Sequence, residues 1–308
     1  MEEIGQRLPL RVRASAIVAG ALAAAALLPA AAVARVYIAD HDGSVLKLNP
    51  KNGKVSTVAT GTPLSRPSGI AIAQNGELIV SDEGADAVFQ VNPASGDVKT
   101  IASGPPLSFP FDLEENRHGV IFVADSSAGP GGTGAVFRVN PGTGDVDRVV
   151  QGSPLLNTKG LALAHRHHKL FVADDQGHGQ GKSGAVFRVD IRNATVKRVA
   201  SGAPLVNPTG LDFDYQRGLL YTTDYSAGPG KTGAIFKVDP ASREARIIRK
   251  GPPLDEMYGI AFAGSLFVPA APDANGDNAL FRMRRTGGGL RTYIAPEITE
   301  PYGVAIGG

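Results

Sequence analysis

The chain of 308 residues contains no cysteine. Disulfide bonds are therefore excluded, although an oxidising compartment would permit them. A lipid anchor is excluded as well, because it needs a cysteine at the signal cleavage site, and so is zinc held by thiolates. Stability must come from strand pairing and an apolar core, for which 43% hydrophobic residues provide enough material.

The chain also has little net charge, with 31 basic residues against 29 acidic ones and a formal charge of +2 at pH 7. The chain therefore has no large excess of basic residues, and its charge does not predict a nucleic-acid partner. Glycine (39 residues) and proline (22 residues) are abundant, which is typical of short strands joined by many turns.

The first 34 residues differ in composition from the rest. Arg7, Arg11 and Arg13 precede an alanine-rich apolar stretch that ends on Ala32-Val33-Ala34. This ending has the small residues that a signal peptidase reads, so we predict a secretory signal peptide over residues 1–34. The mature chain, residues 35–308, is then secreted or periplasmic and has no membrane attachment. The alternative is an uncleaved anchor, because the stretch is about long enough to span a bilayer.

From residue 35 onward, one phrase recurs six times at intervals of roughly 43 to 50 residues. Each copy contains four short apolar runs, and the third run carries an aromatic or aliphatic residue at a fixed place. These residues are Leu46, Phe89, Phe137, Phe187, Phe236 and Phe281. A period of this length with four runs per copy predicts an all-β fold, a six-bladed β-propeller of four-stranded antiparallel blades.

The two ends of the repeat region predict how the ring closes. Val36–Asp40 matches the second strand of other copies, such as Ile121–Asp125, so the first copy lacks a first strand. The chain ends on Pro301–Ile306, which matches a first strand. We therefore expect the C-terminal strand to join the N-terminal blade and to leave the ring without a free edge.

Two short phrases carry a resemblance to a known architecture. Pro-x-Gly-Ile/Leu-Ala recurs, as in Pro67–Ala71, and Leu-Phe-Val-Ala-Asp stands at Leu170–Asp174. With them, residues 36–308 resemble the NHL-repeat and YVTN-type six-bladed propellers, a superfamily that includes gluconolactonase-like and virginiamycin B lyase-like proteins. The resemblance implies architecture alone, because such propellers serve as lyases, hydrolases and binding platforms.

Strand direction places the site on one face of the predicted ring. The connections into the first strands and the loops between second and third strands share this face, which we call the upper face. Its loops are enlarged from the third copy onward, at Ser126–Gly134, Asp175–Gly184, Tyr225–Gly233 and Ala270–Asn278. Long loops on one face favour a binding surface, although they could also simply cap the ring.

The residue before the shared glycine of each first strand is expected to surround the upper mouth of the central channel. These residues are Ser68, Phe111, Lys159, Thr209, Tyr258 and Tyr302. Aromatic rings, a hydroxyl and a lysine there predict ligand binding by Phe111, Thr209, Tyr258 and Tyr302. The alternative for the tyrosines is packing between blades.

Two acids stand out on the predicted inner strands. The position two residues after the shared glycine is alanine in four blades, but it is Glu114 in the third and Asp212 in the fifth. A carboxylate beside the axis must be solvated, paired or bound to a cation. Together with Lys159 at the mouth, Glu114 and Asp212 are the candidate catalytic residues.

The resemblance supplies no further site residues. Gluconolactonase-like propellers hold calcium with Glu, Asn and Asp near the mouth, and none of the six mouth residues here is a carboxylate or an amide. Virginiamycin B lyase-like propellers use His and Glu over the channel, and no such pair can be matched by motif. His41 and His178 lie on the predicted upper face and are retained as candidate ligand-binding residues.

Metal binding has one weak candidate. Asp273, Asn275 and Asp277 alternate as in a calcium loop, but Asn278 replaces the required glycine and Arg284 the bidentate glutamate. The aspartates that end the second strands are interpreted instead as caps of the following turns. They are Asp40, Asp82, Asp125, Asp174 and Asp224.

Two functions remain open at this point. The first is a monomeric, secreted or periplasmic scaffold that binds an unknown protein, peptide, glycan or small molecule through its upper face and channel. It requires no cofactor. The second is a metal-assisted lyase or hydrolase, similar to a lactonase, that acts on a small molecule in the channel with a divalent cation such as calcium.

Overall fold

Six antiparallel sheets, each of four strands, make up the fold. The computed structural model describes residues 35–164, 168–177, 183–270 and 277–307. The predicted signal peptide, His178, Asp273 and Asn275 lie outside these ranges. We call each sheet a blade and number the blades along the chain.

The strands are numbered in chain order. Blade 1 contains β1 (Arg35–Asp40), β2 (Ser44–Leu48) and β3 (Val55–Thr60), and blade 2 contains β4 (Pro67–Ile72), β5 (Leu78–Asp82), β6 (Ala87–Val91) and β7 (Val98–Ser103). Blade 3 contains β8 (Pro110–Glu115), β9 (Ile121–Gly129), β10 (Thr133–Val139) and β11 (Val146–Gln151), and blade 4 contains β12 (Thr158–Ala164), β13 (Lys169–Asp174), β14 (Ala185–Asp190) and β15 (Thr195–Ser201). Blade 5 contains β16 (Pro208–Asp214), β17 (Leu219–Asp224), β18 (Ala234–Asp239) and β19 (Glu244–Lys250), and blade 6 contains β20 (Ala261–Phe262), β21 (Ser265–Ala270), β22 (Ala279–Arg284) and β23 (Arg291–Tyr293). The last strand is β24 (Pro301–Gly307).

The predicted ring closure is confirmed. Strand order in blade 1 is β24-β1-β2-β3, so the C-terminal strand forms the inner edge of the N-terminal blade. The pairing is antiparallel, with Val36 opposite Ile306 and Ile38 opposite Val304. Because the inner strand of blade 1 comes from the other end of the chain, backbone hydrogen bonds hold the ring together.

The core lies between the blades, because both faces of each middle strand are covered. In β13, Leu170, Phe171, Val172 and Ala173 are all buried, which explains a continuous apolar run instead of an alternating one. The repeated third-strand residues, Phe137 among them, are also buried and fill the layers between neighbouring blades. The fourth strands are the most exposed, as in β7, which forms the outer edge of blade 2.

The predicted strands of blade 3 are correct except at one loop. The segment Ser126–Gly134 was expected to be an enlarged loop, but β9 and β10 extend into it and pair Gly129 with Thr133. Gly131 and Gly132 take φ of 70° and 76°, which lets the chain reverse within a short turn. The upper face of blade 3 therefore carries a raised hairpin.

Four of the aspartates that end second strands cap the following turn, as interpreted from the sequence: Asp82, Asp125, Asp174 and Asp224. Asp40 differs, because its carboxylate accepts only from Thr299 and Glu300 in the incoming connection. In blade 2, Asp82 accepts hydrogen bonds from the backbone N–H groups of Gly84 and Ala85 in the following turn, and from Ser65 and Arg66 in the incoming connection. Asp125 makes the same four-donor arrangement in blade 3. Asp82 and Asp125 each thus fix two upper loops to each other.

The described ranges contain one short 3-10 helix, Pro229–Lys231, in the upper loop of blade 5. No helix in this part of the chain is long and apolar enough to cross a membrane.

Candidate functional site

The inner strands approach one another closely around the channel. A Cβ atom on Gly259 would lie 2.4 Å from the carbonyl oxygen of Tyr302 in the next blade, and one on Gly303 would lie 2.5 Å from that of Ser68. The shared glycine is thus required by the close approach of neighbouring blades. Blade 3 departs from the rule, because Asp112 stands at the glycine position.

The residues before the shared glycine form an inner ring at the upper mouth. Of the six, Phe111, Lys159, Tyr258 and Tyr302 contact one another or their neighbours across the channel. The hydroxyl of Thr209 donates to the carbonyl oxygen of Met257 at 2.7 Å and also pairs with Thr223, so it is used between blades 5 and 6. A ligand-binding role for Thr209 stays a prediction.

A second ring surrounds the first, and sequence analysis did not predict it as a unit. It consists of the residue that follows each strand-ending aspartate or its equivalent. In the described blades these residues are His41, Glu83, Ser126, Asp175 and Tyr225. Aligning the six copies one position beyond the aspartate would have revealed this ring. Motif matching could not, because the residue type changes in every copy.

An aromatic stack joins the two rings. The rings of Tyr258 and Tyr302 are parallel, with centroids 3.9 Å apart, and His41 stacks on Tyr302 at the same distance. Tyr225 lies tilted against Tyr258 at 5.5 Å. Phe111 lies 6.1 Å from Tyr302 and 6.4 Å from Tyr258, so the mouth is covered by aromatic side chains. Their packing contributes about 1 kcal/mol per pair beyond area burial.

A buried histidine-carboxylate pair stands at the edge of this stack. Nε2 of His41 lies 2.6 Å from Oε1 of Glu83, and Nδ1 lies 3.3 Å from Oε1 of Glu300. Nη2 of Arg66 also reaches the same Glu83 oxygen, at 3.1 Å. An imidazolium donates to both carboxylates, whereas a neutral ring donates to only one of them. The structure thus brings together a His-Glu pair that no sequence motif identified.

Lys159 occupies the opposite side of the mouth. Its Nζ atom lies 4.3 Å from the centroid of the Phe111 ring, which is cation–π geometry. Burial lowers the pKa of Lys159, and the charges of Asp175 and Glu83 act in the opposite direction. Burial also raises the pKa of Asp175, an effect that Lys159 reduces. The amine is therefore within electrostatic range of two acids of the outer ring.

Two buried carboxylate oxygens at the mouth have no partner. Among the described residues, neither Oε2 of Glu83 nor Oδ1 of Asp175 accepts a hydrogen bond, although both atoms are shielded from solvent. An unpaired buried acceptor costs about 1–3 kcal/mol. The two oxygens are therefore the atoms at which an incoming donor would gain most.

The hydroxyl groups of the mouth remain protonated at neutral pH. Burial raises the pKa of Tyr302 to about 12, and it raises those of Tyr258 and Tyr225 still further. The charge of Glu256 adds to the effect of burial on the pKa values of Tyr225 and Tyr258. They can act as donors and acceptors to a ligand, but not as phenolate bases near pH 7.

Below the aromatic side chains the channel narrows and then widens. The space beneath Phe111, Tyr258 and Tyr302 is about 20 Å³, enough for about one water molecule. A larger cavity of about 190 Å³ follows towards the lower face and is lined by Asp112, Glu114 and the Asp212 carboxyl. The mouth and this cavity therefore occupy different sections of one channel, joined by a narrow space.

Asp112 and Asp212 connect neighbouring inner strands. Oδ2 of Asp112 accepts from the backbone N–H of Leu161 at 2.9 Å, and Oδ2 of Asp212 accepts from that of Phe262 at 2.6 Å. Burial raises the pKa of Asp112 to about 7 and that of Asp212 to about 6, while these hydrogen bonds act in the opposite direction. Both carboxyls thus serve in contacts between blades.

Glu114 differs from these two acids. None of the described residues makes a hydrogen bond to its side chain, which lines the 190 Å³ cavity. Burial, together with the charges of Asp212 and Asp112, raises the pKa of Glu114 well above its usual value. A buried carboxyl with a raised pKa is a candidate general acid.

The structure thus separates the three predicted catalytic residues. Glu114 and Asp212 line the lower cavity, whereas Lys159 belongs to the mouth above the constriction. Within residues 35–164, 168–177, 183–270 and 277–307, no cluster of three or more His, Asp or Glu side chains has a geometry that could hold a metal ion. Of the predicted calcium loop only Asp277 is described, and it is exposed.

Charge is distributed unevenly between the two faces. In the described upper connections, acids outnumber bases: Asp42, Glu83, Asp86, Asp175, Asp255, Glu256, Asp277, Glu297 and Glu300 stand against Arg66 and Lys231. In the described lower connections, bases outnumber acids: Lys51, Lys54, Arg117, Arg192, Arg217, Arg243 and Arg285 stand against Glu77, Asp97 and Asp145. The small net charge of the chain therefore conceals an acidic upper face and a basic lower one.

Comparison with known proteins agrees with this architecture. No protein-family model matches the chain, and no curated protein matches its sequence. A propeller in the crystal structure of a nidogen/laminin complex superposes with a TM-score of 0.73 and 16% identity, covering 89% of this chain and 98% of that chain. The likeness is one of fold. TolB from Acinetobacter baumannii superposes with a TM-score of 0.65 and 14% identity, covering 89% of this chain and 66% of that one.

Proposed function

We propose that this propeller is a secreted or periplasmic binding scaffold, and that a protein or peptide partner docks on its upper mouth. The observation that carries the proposal is the covered channel. Aromatic side chains lie over a space of about 20 Å³, and the cavity beneath measures about 190 Å³. Pockets for drug-sized ligands measure about 300–1,000 Å³, so a broad, shallow contact suits the mouth better than an enclosed small molecule.

Two further observations support an interaction role outside the cytoplasm. The N-terminal sequence has the charge pattern, apolar stretch and small terminal residues of a secretory signal. One structural neighbour comes from the crystal structure of a nidogen/laminin complex. That complex belongs to the neighbour, and this chain is assigned no particular partner from it.

The alternative is a lyase or hydrolase that works in the lower cavity, and one observation favours it. Glu114 has a raised pKa and faces a cavity that could admit a small substrate from the lower face. If this chemistry needs a divalent cation, the purified protein will contain a stoichiometric metal that Glu114→Gln removes. Glu115→Gln, one residue along the same strand, is the matched control.

The scaffold proposal is tested by site-specific crosslinking in the cells that produce the protein. A photoreactive benzoyl-phenylalanine replaces Tyr225 at the upper mouth in one variant, and Tyr215 on the lower face in another. Tyr215 is 51% exposed and lies in a lower-face groove, so both positions are aromatic and can reach a partner. We expect a crosslinked protein from position 225 and none from position 215. Crosslinks from position 215 alone, or from neither position, would refute the proposal.

A further inference from the structure

The upper mouth has features that select the chemistry of its partner. Two buried carboxylate oxygens at the mouth accept no hydrogen bond from any described residue. They are Oε2 of Glu83 and Oδ1 of Asp175. The side chain of Glu83 is only 3% exposed, and its charge acts on both Lys159 and Tyr302. Its carboxylate is held beside the mouth by His41, whose ring stacks on Tyr302.

The groups that already surround these acids leave acceptor capacity free. Arg66 and His41 both contact the same oxygen of Glu83, Oε1, and leave Oε2 unpaired. Lys159 lies over the ring of Phe111 and not in an ion pair closer than 4 Å with either acid. Each carboxylate can thus accept at least one further charge-assisted hydrogen bond.

The charged side chains around the mouth are mostly acidic, as Glu83 and Asp175 are. Glu300 is half exposed at the edge of the stack, the charge of Glu256 adds to the effect of burial on the pKa of Tyr225, and acids dominate the remaining upper connections. Aromatic rings beside carboxylates attract cations through both the ring quadrupole and the full negative charge. The negative charge of these acids would repel an anionic partner.

We propose that the upper mouth binds a positively charged side chain, a lysine ammonium or an arginine guanidinium, presented by a basic segment of a partner protein. The cation would donate to the free oxygens of Glu83 and Asp175 while its stem packs on the aromatic side chains of the mouth. This inference rests on the proposed function and adds the partner's chemistry. A peptide segment fits better than an enclosed small amine because the space beneath the aromatic side chains is only about 20 Å³.

The test measures binding of hexalysine and hexaglutamate to the mature chain, residues 35–308, by isothermal titration calorimetry. We expect hexalysine to bind with an affinity that falls as salt rises, and hexaglutamate not to bind. The double variant Glu83→Gln/Asp175→Asn should weaken hexalysine binding at least tenfold. The control Asp97→Asn/Asp145→Asn removes the same charge from lower-face turns and should change the affinity less than twofold.

Glu83 is buried, so its substitution could disturb the fold. The melting temperature of each variant is measured first, and Asp175→Asn/Glu256→Gln serves as a second pair that leaves the His41 contact intact. This pair should also weaken hexalysine binding, by about threefold or more.

Three results would overturn the inference. They are equal binding of the two peptides, an unchanged hexalysine affinity in both upper-face pairs, and spermidine binding as tightly as hexalysine. Stoichiometric Ca²⁺ binding that the Glu83→Gln/Asp175→Asn pair removes would also overturn it, since the mouth would then be a metal site. If position 225 crosslinks a partner but hexalysine does not bind, the scaffold proposal stands and the inference of a positively charged partner segment is wrong. If only position 215 crosslinks, the scaffold proposal itself fails.

Discussion

The imidazole of His41 lies parallel to the phenol ring of Tyr302, with centroids 3.9 Å apart and planes at 9°. His41 follows β1, and Tyr302 lies in β24 at the other end of the chain. The pairing of these two strands closes the ring, and the same pairing brings one residue of each mouth ring together. Closure of the fold and formation of the candidate site are thus one structural event.

Removing the ring of Tyr302 should therefore cost more than removing its hydroxyl. Tyr302→Ala leaves His41 and Tyr258 without the ring between them, and we expect it to lower the free energy of unfolding by about 3 kcal/mol. Tyr302→Phe keeps the stack and removes only the hydroxyl, at a cost of about 1 kcal/mol or less. Urea denaturation measures both values. Equal losses in the two variants would show that the hydroxyl, and not the stack, stabilises this contact.

Deleting residues 302–308 should abolish cooperative unfolding. The deletion removes the inner strand of blade 1 and exposes the edge of β1, whose Val36 and Ile38 side chains are fully buried in the intact ring. Differential scanning calorimetry should show the loss of the single sharp transition. Removing residues 307–308 alone is the control and should leave the transition in place. An unchanged melting temperature after the longer deletion would contradict the closure.

Adding one methyl group at the channel should destabilise the ring. Gly259→Ala places a Cβ 2.4 Å from the carbonyl oxygen of Tyr302, so neighbouring blades must move apart. We expect a loss of about 2 kcal/mol or more. Gly288→Ala is the matched control, because a Cβ there meets no atom within 4 Å and its φ is not positive. Comparable losses at both positions would mean that the approach of the inner strands tolerates a side chain.

Stability should rise as the solution is acidified from pH 8 towards pH 5. Asp112, Asp212 and Glu114 have folded-state pKa values raised by burial, to about 7 for Asp112 and about 6 for Asp212. The folded state therefore binds these protons more tightly than the unfolded state, whose carboxyls titrate near pH 4. Between about pH 4 and pH 7 the contribution of these groups to stability falls as pH rises. Thermal melts at intervals of half a pH unit follow the trend.

Glu114→Gln isolates one of these groups. The variant removes a buried charge at pH 8, so we expect a melting temperature at least about 2 °C higher there and a weaker dependence on pH. Glu115→Gln is the control and should keep the pH profile of the unsubstituted chain. If Glu114→Gln lowers the melting temperature at pH 8, the carboxylate is ionised and stabilised by a bound group.

Much of the fold followed from the sequence because a propeller repeats one local pattern. The apolar runs, the turn residues and the strand-ending aspartates recur at nearly constant spacing, so each copy predicts the next. Ring closure was predictable for the same reason, since the chain begins on a second strand and ends on a first. The raised hairpin at Gly129 and Thr133 was missed, because a glycine-rich loop and a glycine-rich hairpin share the same composition.

The candidate site was predicted only in part. The structure places the inner mouth ring beside the repeated glycine, while ligand binding by its residues stays a prediction. His41 was placed on the correct face, but its pairing with Glu83 brings together residues from different blades whose neighbouring sequences do not resemble each other. Lys159, Glu114 and Asp212 were grouped together, whereas the narrowing of the channel assigns them to different sections of it.

The amino-acid sequence by itself determined the number of blades, the strand order and the way the ring closes, because these depend on periodicity along one chain. Only the tertiary structure decided which side chains meet at the mouth, which carboxylate oxygens lack a donor, and how charge separates between the faces. Those properties depend on contacts across the channel between different blades. A net charge of +2 gave no sign of an acidic upper face, because summing charges discards their positions.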